Sequence, residues 1–208
     1  MNTASAERYG WVNNADTYSH SYLLPQVAAL VNQAGGGRVL DIGTGNGSAL
    51  PFWKRQGWTV SAMEPDREGY EHARIVEGVE EVLHQGVEVR LPDRWTSTFD
   101  AVVSLEVVEH LFNPSLLVTT ASQALRPGGV AVISTPYHGY WKNLALALAN
   151  KWDFHHHPER VGGHIKFWSR DTLRSLFVAQ GFLPRSFHGA GRLPWLWKSM
   201  IWFFQKPS

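Results

Sequence analysis

An apolar segment that runs into three closely spaced glycines limits the folds open to this 208-residue chain more than any other feature. Residues 38–42 read as a short buried strand, and Gly43, Gly45 and Gly47 follow at every second position before a predicted helix over 49–56. Glycine is needed where the backbone takes a positive φ or where a ligand touches the main chain. A strand, a glycine-rich loop and a helix in this order predict an α/β domain with a ligand at the loop.

Strands and helices alternate along the first two thirds of the chain. Further strands are predicted at 58–63, 79–84, 101–105 and 130–135, with helices at 20–34, 65–77, 115–125 and 170–180. Alternating units of this kind form a mostly parallel sheet with helices on both faces. We therefore predict a Rossmann-like, doubly wound α/β sheet of seven strands, in which the last two, 182–188 and 200–205, form an antiparallel edge hairpin.

The chain is predicted to be one domain with four parts. These are an N-terminal lid helix (1–36), a cofactor-binding core (37–135), a substrate-side insert (136–168), and the last helix with the edge hairpin (169–208). The insert follows the fifth strand and so leaves the sheet where ligands of such sheets bind. It should contain a helix over 141–150 and then an extended loop with the histidines 155–157. The turn at 192–197, after the sixth strand, and the N-terminal Tyr9, Trp11 and Tyr18 should complete the lid.

Composition excludes several classes of chemistry and location. The chain has no cysteine, which excludes disulfides, cysteine-bound zinc and thiol nucleophiles. The first residues form no apolar signal segment, and no apolar run reaches the roughly 18 residues of a membrane span. A cytoplasmic protein is expected.

Charge is distributed unevenly along the chain. Residues 1–110 contain 8 Lys or Arg and 15 Asp or Glu, whereas residues 111–208 contain 11 and 3. The second half also has six of the ten tryptophans. This bias predicts either contact with an anionic or flat partner, or two halves whose charges mix in one sheet. In the first case the five cationic side chains that should ring a pocket mouth are Lys142, Arg160, Lys166, Arg192 and Lys198.

Two carboxylates beside the glycine loop indicate what the ligand carries. Asp41 comes directly before the loop, where it would repel a phosphate and attract a cationic amino group. Glu64 ends the second predicted strand and can accept both hydrogen bonds of a ribose diol.

The pattern resembles the class I methyltransferases that use S-adenosylmethionine. The resemblance rests on D-x-G-x-G-x-G at 41–47, on Glu64, on F-D-A-V-V-S-L-E at 99–106 and on R-P-G-G at 126–129. It implies that Asp41 and the glycines hold the methionine end of the cofactor, that Glu64 holds the ribose, and that Glu88, near the end of the third strand, meets the adenine. The candidate cofactor-binding residues are Asp41, Gly43, Thr44, Gly45, Gly47, Glu64, Pro65, Glu88, Leu105 and Glu106.

A cluster of acidic residues and a histidine, Glu106, Glu109 and His110, follows the fourth strand. If the segment is helical, these residues lie three and four positions apart and share one face. Two carboxylates and an imidazole can then form half of a divalent-cation site, more suited to Mn²⁺, Fe²⁺, Co²⁺ or Zn²⁺ than to Mg²⁺. Without a metal, His110 is the candidate base that faces the substrate.

This E-x-x-E-H segment resembles the ubiquinone-pathway O-methyltransferases and the small-RNA 2′-O-methyltransferases. In both families a distant histidine completes a metal site, which implies His164 here, with His138 as a second candidate. The catalytic candidates are therefore His110, Glu109, His164 and His138, and the metal candidates are Glu106, Glu109, His110 and His164.

The predicted function is S-adenosylmethionine-dependent O-methylation of a small or lipid-like hydroxylated acceptor that is anionic or aromatic. The alternatives are an RNA ribose 2′-O-methyltransferase and a domain that binds the cofactor without catalysis. The near-neutral net charge of +1 disfavours nucleic acid as a partner. The aromatic run at 193–206 also permits peripheral contact with a membrane.

Overall fold

Seven strands form one mixed sheet in the computed structural model, which describes residues 10, 11, 13, 15–156, 158, 159 and 162–208. The order of the strands in the sheet is β3-β2-β1-β4-β5-β7-β6. Strands β1 to β5 pair in parallel, while β7 runs antiparallel to both β5 and β6. The predicted doubly wound sheet with an antiparallel C-terminal hairpin is confirmed. The strands are β1 (Arg38–Ile42), β2 (Thr59–Met63), β3 (Glu81–Leu83), β4 (Phe99–Leu105), β5 (Leu125–Pro136), β6 (Leu183–Ala190) and β7 (Ser199–Gln205).

Helices cover both faces of this sheet. The described helices are α1 (His20–Val31), α2 (Leu50–Arg55), α3 (Arg67–Ala73), α4 (Ser115–Ala124), α5 (Tyr140–Leu148), α6 (Trp152–His156) and α7 (Arg170–Val178), of which α5 and α6 lie in the insert and bury no residue. Short 3₁₀ turns cover Asn32–Ala34, Asp93–Trp95 and Val108–His110. Within the described part of the chain, no helix combines the length and apolarity that a membrane crossing requires.

Several predicted boundaries differ from those in the structure. The helix expected over 65–77 is confined to α3, because the Asp66 side chain caps its start by accepting a hydrogen bond from the Gly69 N–H. The expected extended loop at 155–157 was wrong for His155 and His156, which lie in α6, while His157 lies outside the described residues. Tyr9 and Arg160 also lie outside them.

Two apolar layers hold the helices against the sheet. Neighbouring residues of a strand point to opposite faces. In β4, Val102 accordingly packs into one layer with Leu40 of β1, whereas Ala101 and Val103 pack into the other. Burial on both faces explains why β4 has an uninterrupted apolar sequence.

The pairing register brings the carboxyl ends of four strands to one edge. Ile42 of β1 pairs with Met63 of β2, and Leu105 of β4 pairs with Ser134 of β5. The residues that leave β1, β2, β4 and β5 are therefore neighbours in space. Ligands of open α/β sheets bind at this edge.

Candidate active site

The glycine loop connects β1 to α2 and approaches other parts of the backbone closely. Gly45 and Gly47 have φ values of +59° and +75°, a conformation that is strained for residues with a Cβ. A Cβ on Gly47 would lie 2.7 Å from the Cα of Ala73, so glycine also lets α3 pack against the loop. The Gly43 N–H donates to the carbonyl oxygen of Met63 at 2.8 Å, which ties the loop to the end of β2.

Asp41 lies under this loop and is buried. Its carboxylate accepts a hydrogen bond of 3.2 Å from the indole Nε1 of Trp53 on α2. Burial raises the pKa of Asp41 to about 7, and the hydrogen bond from Trp53 offsets part of that shift. Trp53 was not among the predicted site residues, because its only local signal is its position in the helix that follows the loop.

Glu64 lies at the end of β2, beside the loop as predicted. Its Oε2 accepts from the Gly45 N–H at 2.7 Å, and its Oε1 accepts from the Asp66 N–H at 2.9 Å. Burial raises the pKa of Glu64 to about 7. Glu88 is exposed and lies five residues past the end of β3 at Leu83, and its contact with the adenine stays a prediction.

A pocket of about 130 Å³ lies between the glycine loop and the N-terminal segment. It contains Asp41 at its base, and Leu105 and Glu106 from the end of β4. Carboxylates buried at such a site favour a ligand with positive charges. These carboxylates therefore fit the sulfonium and ammonium groups of S-adenosylmethionine. The lining residues are Trp11, Thr17, Ser19, His20, Asp41, Gly43, Thr44, Gly45, Asn46, Ala49, Leu105 and Glu106.

Glu106 departs from the expected helix at the end of β4. Its φ is +57°, and only Val108–His110 forms a 3₁₀ turn. Its Oε1 accepts from the Ser134 hydroxyl at 2.8 Å and its Oε2 accepts from the Ser199 hydroxyl at 3.1 Å. Glu106 therefore faces the cofactor pocket, and its predicted place in one cluster with Glu109 and His110 was wrong.

Glu109, His110 and His164, which we call the triad, do converge. One ligand atom from each lies within 4.8 Å of the other two. The His110 Nδ1 lies 3.2 Å from the carbonyl oxygen of Gly163, which can only accept. In the neutral imidazole, Nδ1 therefore carries the proton, and Nε2, 4.0 Å from the Glu109 Oε1, carries the lone pair.

The carboxylate of Glu109 is buried and only partly satisfied. Its Oε2 accepts from the Thr135 hydroxyl at 3.0 Å, while its Oε1 has no hydrogen-bond partner among the described residues. Burial, together with the charge of Glu106, raises the pKa of Glu109 well above its ordinary value. An unpaired carboxylate oxygen beside an imidazole lone pair is suited to bind a proton or a cation.

The insert places His164 by folding back over the end of β4. The N–H groups of Ile165 and Lys166 both donate to the carbonyl oxygen of Glu109 at 3.0 Å. The Trp168 indole donates to the carbonyl oxygen of Val108 at 3.3 Å. The predicted fold-back of the insert is thus present.

His138 follows β5 and is not one of the three converging residues, although it is close enough to His164 for the two rings to interact electrostatically. Its ring stacks on His156 of α6 at a centroid distance of 5.4 Å and meets Phe167 edge-on at 5.0 Å. Burial and the charge of Lys142 lower the pKa of His138 to about 3. An imidazole with this pKa is neutral and a poor general base at neutral pH.

A second, larger pocket of about 620 Å³ lies between α5 and the turn after β6. Burial lowers the pKa of Lys142 at its edge to about 8, and Glu106 acts in the opposite direction. Lys142 therefore lies near Glu106, which connects this pocket to the cofactor side. Among the described lining residues none is acidic; they are Lys142, Ala145, Leu146, Ala149, Lys151, His155, Arg192, Leu193 and Leu196.

Comparison with known proteins gives one family. A family model described as a methyltransferase domain matches residues 17–186. The chain is 27% identical over 180 residues to the ubiquinone biosynthesis O-methyltransferase of Caulobacter sp. strain K31, which covers 81% of this chain and 70% of the relative. It is 32% identical over 152 residues to the human mitochondrial ubiquinone biosynthesis O-methyltransferase, covering 70% of this chain and 41% of that relative.

Solved structures agree on the fold. A Mesorhizobium loti S-adenosylmethionine-dependent methyltransferase superposes with a TM-score of 0.66 at 16% identity, covering 88% of this chain and 96% of that one. The Burkholderia thailandensis 1,6-didemethyltoxoflavin-N1-methyltransferase, solved with bound S-adenosylhomocysteine, gives 0.65 at 17% identity and covers 88% and 77%.

Proposed function

The chain belongs to the methyltransferase-domain family of S-adenosylmethionine-dependent enzymes, and we propose that it methylates a hydroxyl oxygen of an apolar acceptor that carries an anionic group. The observation that carries this proposal is the 620 Å³ pocket, whose apolar walls have Lys142, Lys151 and Arg192 at their edge. Apolar walls with a few oriented charges are typical of sites for amphiphilic small molecules.

The cofactor supplies a methyl group activated by its sulfonium. The acceptor oxygen forms a bond to that carbon as the carbon–sulfur bond breaks, and the hydroxyl proton must leave. His110 can take this proton at Nε2, because the Gly163 carbonyl holds its proton at Nδ1. The buried Glu109 carboxylate stabilises the imidazolium that results.

The same triad would also hold a divalent transition-metal ion, which would acidify the acceptor hydroxyl. One carboxylate oxygen and two imidazole nitrogens, with Glu109 Oε1 lacking a partner among the described residues, fit such an ion. Titration with Mn²⁺ should show binding that His164→Ala abolishes and that a control, His188→Ala on β6, retains. Absence of saturable binding would contradict the metal site and leave His110 as the base.

An RNA acceptor has less support, because two basic residues of the second half are engaged in contacts within the protein. Arg126 pairs with Asp100 at 2.6 Å, and the Lys206 ammonium donates to the carbonyl oxygens of Ser122 and Leu125. Of the five cations expected to ring a pocket mouth, Lys142 and Arg192 line the larger pocket. Lys166 and Lys198 do not line it, and Arg160 lies outside the described residues.

Exposed apolar side chains near the larger pocket suit a lipid-like acceptor. Trp141 and Leu148 on α5, Phe154 on α6, and Leu193 and Trp195 after β6 are all exposed. A surface of this kind can rest on a bilayer and take its acceptor from it. Co-sedimentation with anionic vesicles would detect this contact, and recovery of all the protein in the supernatant would contradict it.

Two acceptors that differ only in the charge of one group test whether the acceptor is anionic. An alkyl-substituted dihydroxybenzoate should be methylated with a lower KM than its neutral methyl ester, because only the acid pairs with the cations of the pocket. Arg192→Gln should raise the KM of the acid and leave that of the ester nearly unchanged. Arg174→Gln on the exposed side of α7 is the control. Equal KM values for the acid and the ester would contradict an anionic acceptor.

A further inference from the structure

One part of the N-terminal segment lies across the glycine loop. We call Trp11, Asn13 and residues 15–19 the strap. The Asn46 side chain, which is buried, donates from Nδ2 to the carbonyl oxygens of Asn13 at 2.8 Å and Ala15 at 2.9 Å. Its Oδ1 accepts from the Ser48 N–H at 3.2 Å. A single loop side chain thus fastens the strap above the cofactor pocket.

The indole of Trp11 fills the space beside two glycines of the cofactor site. A Cβ on Gly45 would lie 2.7 Å from the Cζ2 of Trp11, and a Cβ on Gly69 would lie 3.0 Å from its Cδ1. The same Cβ on Gly69 would lie 3.1 Å from the Cγ of Glu64. Trp11 is therefore next to the carboxylate expected to bind the ribose.

The Nε1 of Trp11 is buried and has no hydrogen-bond partner within the part of the chain that the structure describes. An unpaired buried donor is costly and indicates a missing acceptor. A ribose places hydroxyl oxygens next to Glu64. We propose that Trp11 is a cofactor-binding residue, whose ring covers the ribose of S-adenosylmethionine and whose N–H donates to a ribose oxygen.

The size of the pocket implies that the strap moves when the cofactor enters. The volume of about 130 Å³ is below the roughly 300–1,000 Å³ that is usual for ligand pockets. For the cofactor to occupy this pocket, the strap would have to shift, and the Asn46 hydrogen bonds are the contacts that such a shift would break. This inference rests on the cofactor site and not on the identity of the acceptor.

Calorimetry with S-adenosylhomocysteine tests this role. Trp11→Phe keeps a ring but loses the N–H donor, and it should weaken binding by about tenfold. Trp11→Ala should weaken binding further and accelerate dissociation of the ligand in stopped-flow measurements. Trp58→Phe is the control, because the Trp58 indole donates to the Asn32 side chain, away from the loop. Asn46→Ala should also accelerate dissociation while retaining the indole.

Unchanged binding of S-adenosylhomocysteine by Trp11→Ala would overturn the proposal, because the indole would then make no contact with the cofactor. Tighter binding would also overturn it, because the indole would then compete with the cofactor for its site. Failure of the proposed O-methylation would leave these affinities unaffected, so the two proposals fail separately. If Trp11→Ala does not fold, Trp11→Phe and Asn46→Ala still decide the outcome, since the first retains the ring and the second retains Trp11.

Discussion

At the scale of single residues, burial of carboxyl groups dominates the chemistry of this site. The pKa values of Asp41, Glu64 and Glu106 are each raised to about 7, in every case chiefly by burial. Desolvated carboxylates bind positive charge strongly because little water competes for them. The cofactor site is thus prepared for a cationic ligand before that ligand arrives.

Glu64 gives the most direct residue-level prediction. Glu64→Ala removes the expected partner of the ribose diol and should weaken binding of S-adenosylhomocysteine by about 1–3 kcal/mol. Glu71 is an exposed residue of α3 that pairs with Arg74. The control Glu71→Ala should therefore bind S-adenosylhomocysteine with unchanged affinity. Isothermal titration calorimetry measures both variants. Equal affinity for the two would contradict the role of Glu64.

A pH dependence follows from Asp41. Its folded pKa of about 7 lies above the ordinary value of 3.8, so this group makes the ligand-free protein less stable as pH rises from about 4 to about 7. A cationic ligand favours the ionised form, so binding should release protons, and affinity for S-adenosylmethionine should rise between pH 6 and pH 7. Calorimetry in buffers with different ionisation enthalpies measures this release, which Asp41→Asn should reduce. Proton uptake on binding would contradict the assignment.

At the scale of elements, the end of β4 shows what local sequence can and cannot predict. The glycine loop and its carboxylates were placed correctly, because strand, loop and helix follow one another within a few residues. Glu106 was misplaced, because the hydroxyls of Ser134 and Ser199, far away in the sequence, determine where its carboxylate points. Residues three and four positions apart share one face only if the segment that contains them is helical.

Strand β5 supports the triad through one hydroxyl. Thr135→Val keeps the shape of the side chain but removes the donor to the Glu109 Oε2. The free energy of unfolding should fall by about 1–3 kcal/mol, because a buried carboxylate loses its partner. Turnover should fall while affinity for S-adenosylhomocysteine stays unchanged. Thr120→Val, buried on α4, is the matched control, and an equal loss of turnover in both variants would contradict a local effect.

At the scale of the whole molecule, the acidic and the basic half of the sequence meet in one sheet, where their charges come close together. Strands β4 and β5, from the acidic and the basic half, lie side by side, and Arg126 meets Asp100 next to them. The mostly parallel sheet with an antiparallel edge hairpin followed from the alternation of elements, whereas the order of its strands was not predicted. The insert and the turn after β6 were both expected on the ligand side, but the volume and the lining of the larger pocket between them could not be predicted from local sequence.

The atom that receives the methyl group decides whether this protein is an O-methyltransferase. The protein would be incubated with S-adenosylmethionine carrying a ¹³C-labelled methyl group and with an alkyl-substituted dihydroxybenzoate, and the product analysed by NMR. The account predicts a labelled aryl methyl ether whose rate of formation falls by about 100-fold or more in His110→Gln. Label on nitrogen or carbon, or no transfer to any hydroxylated acceptor while S-adenosylhomocysteine binds normally, would contradict it.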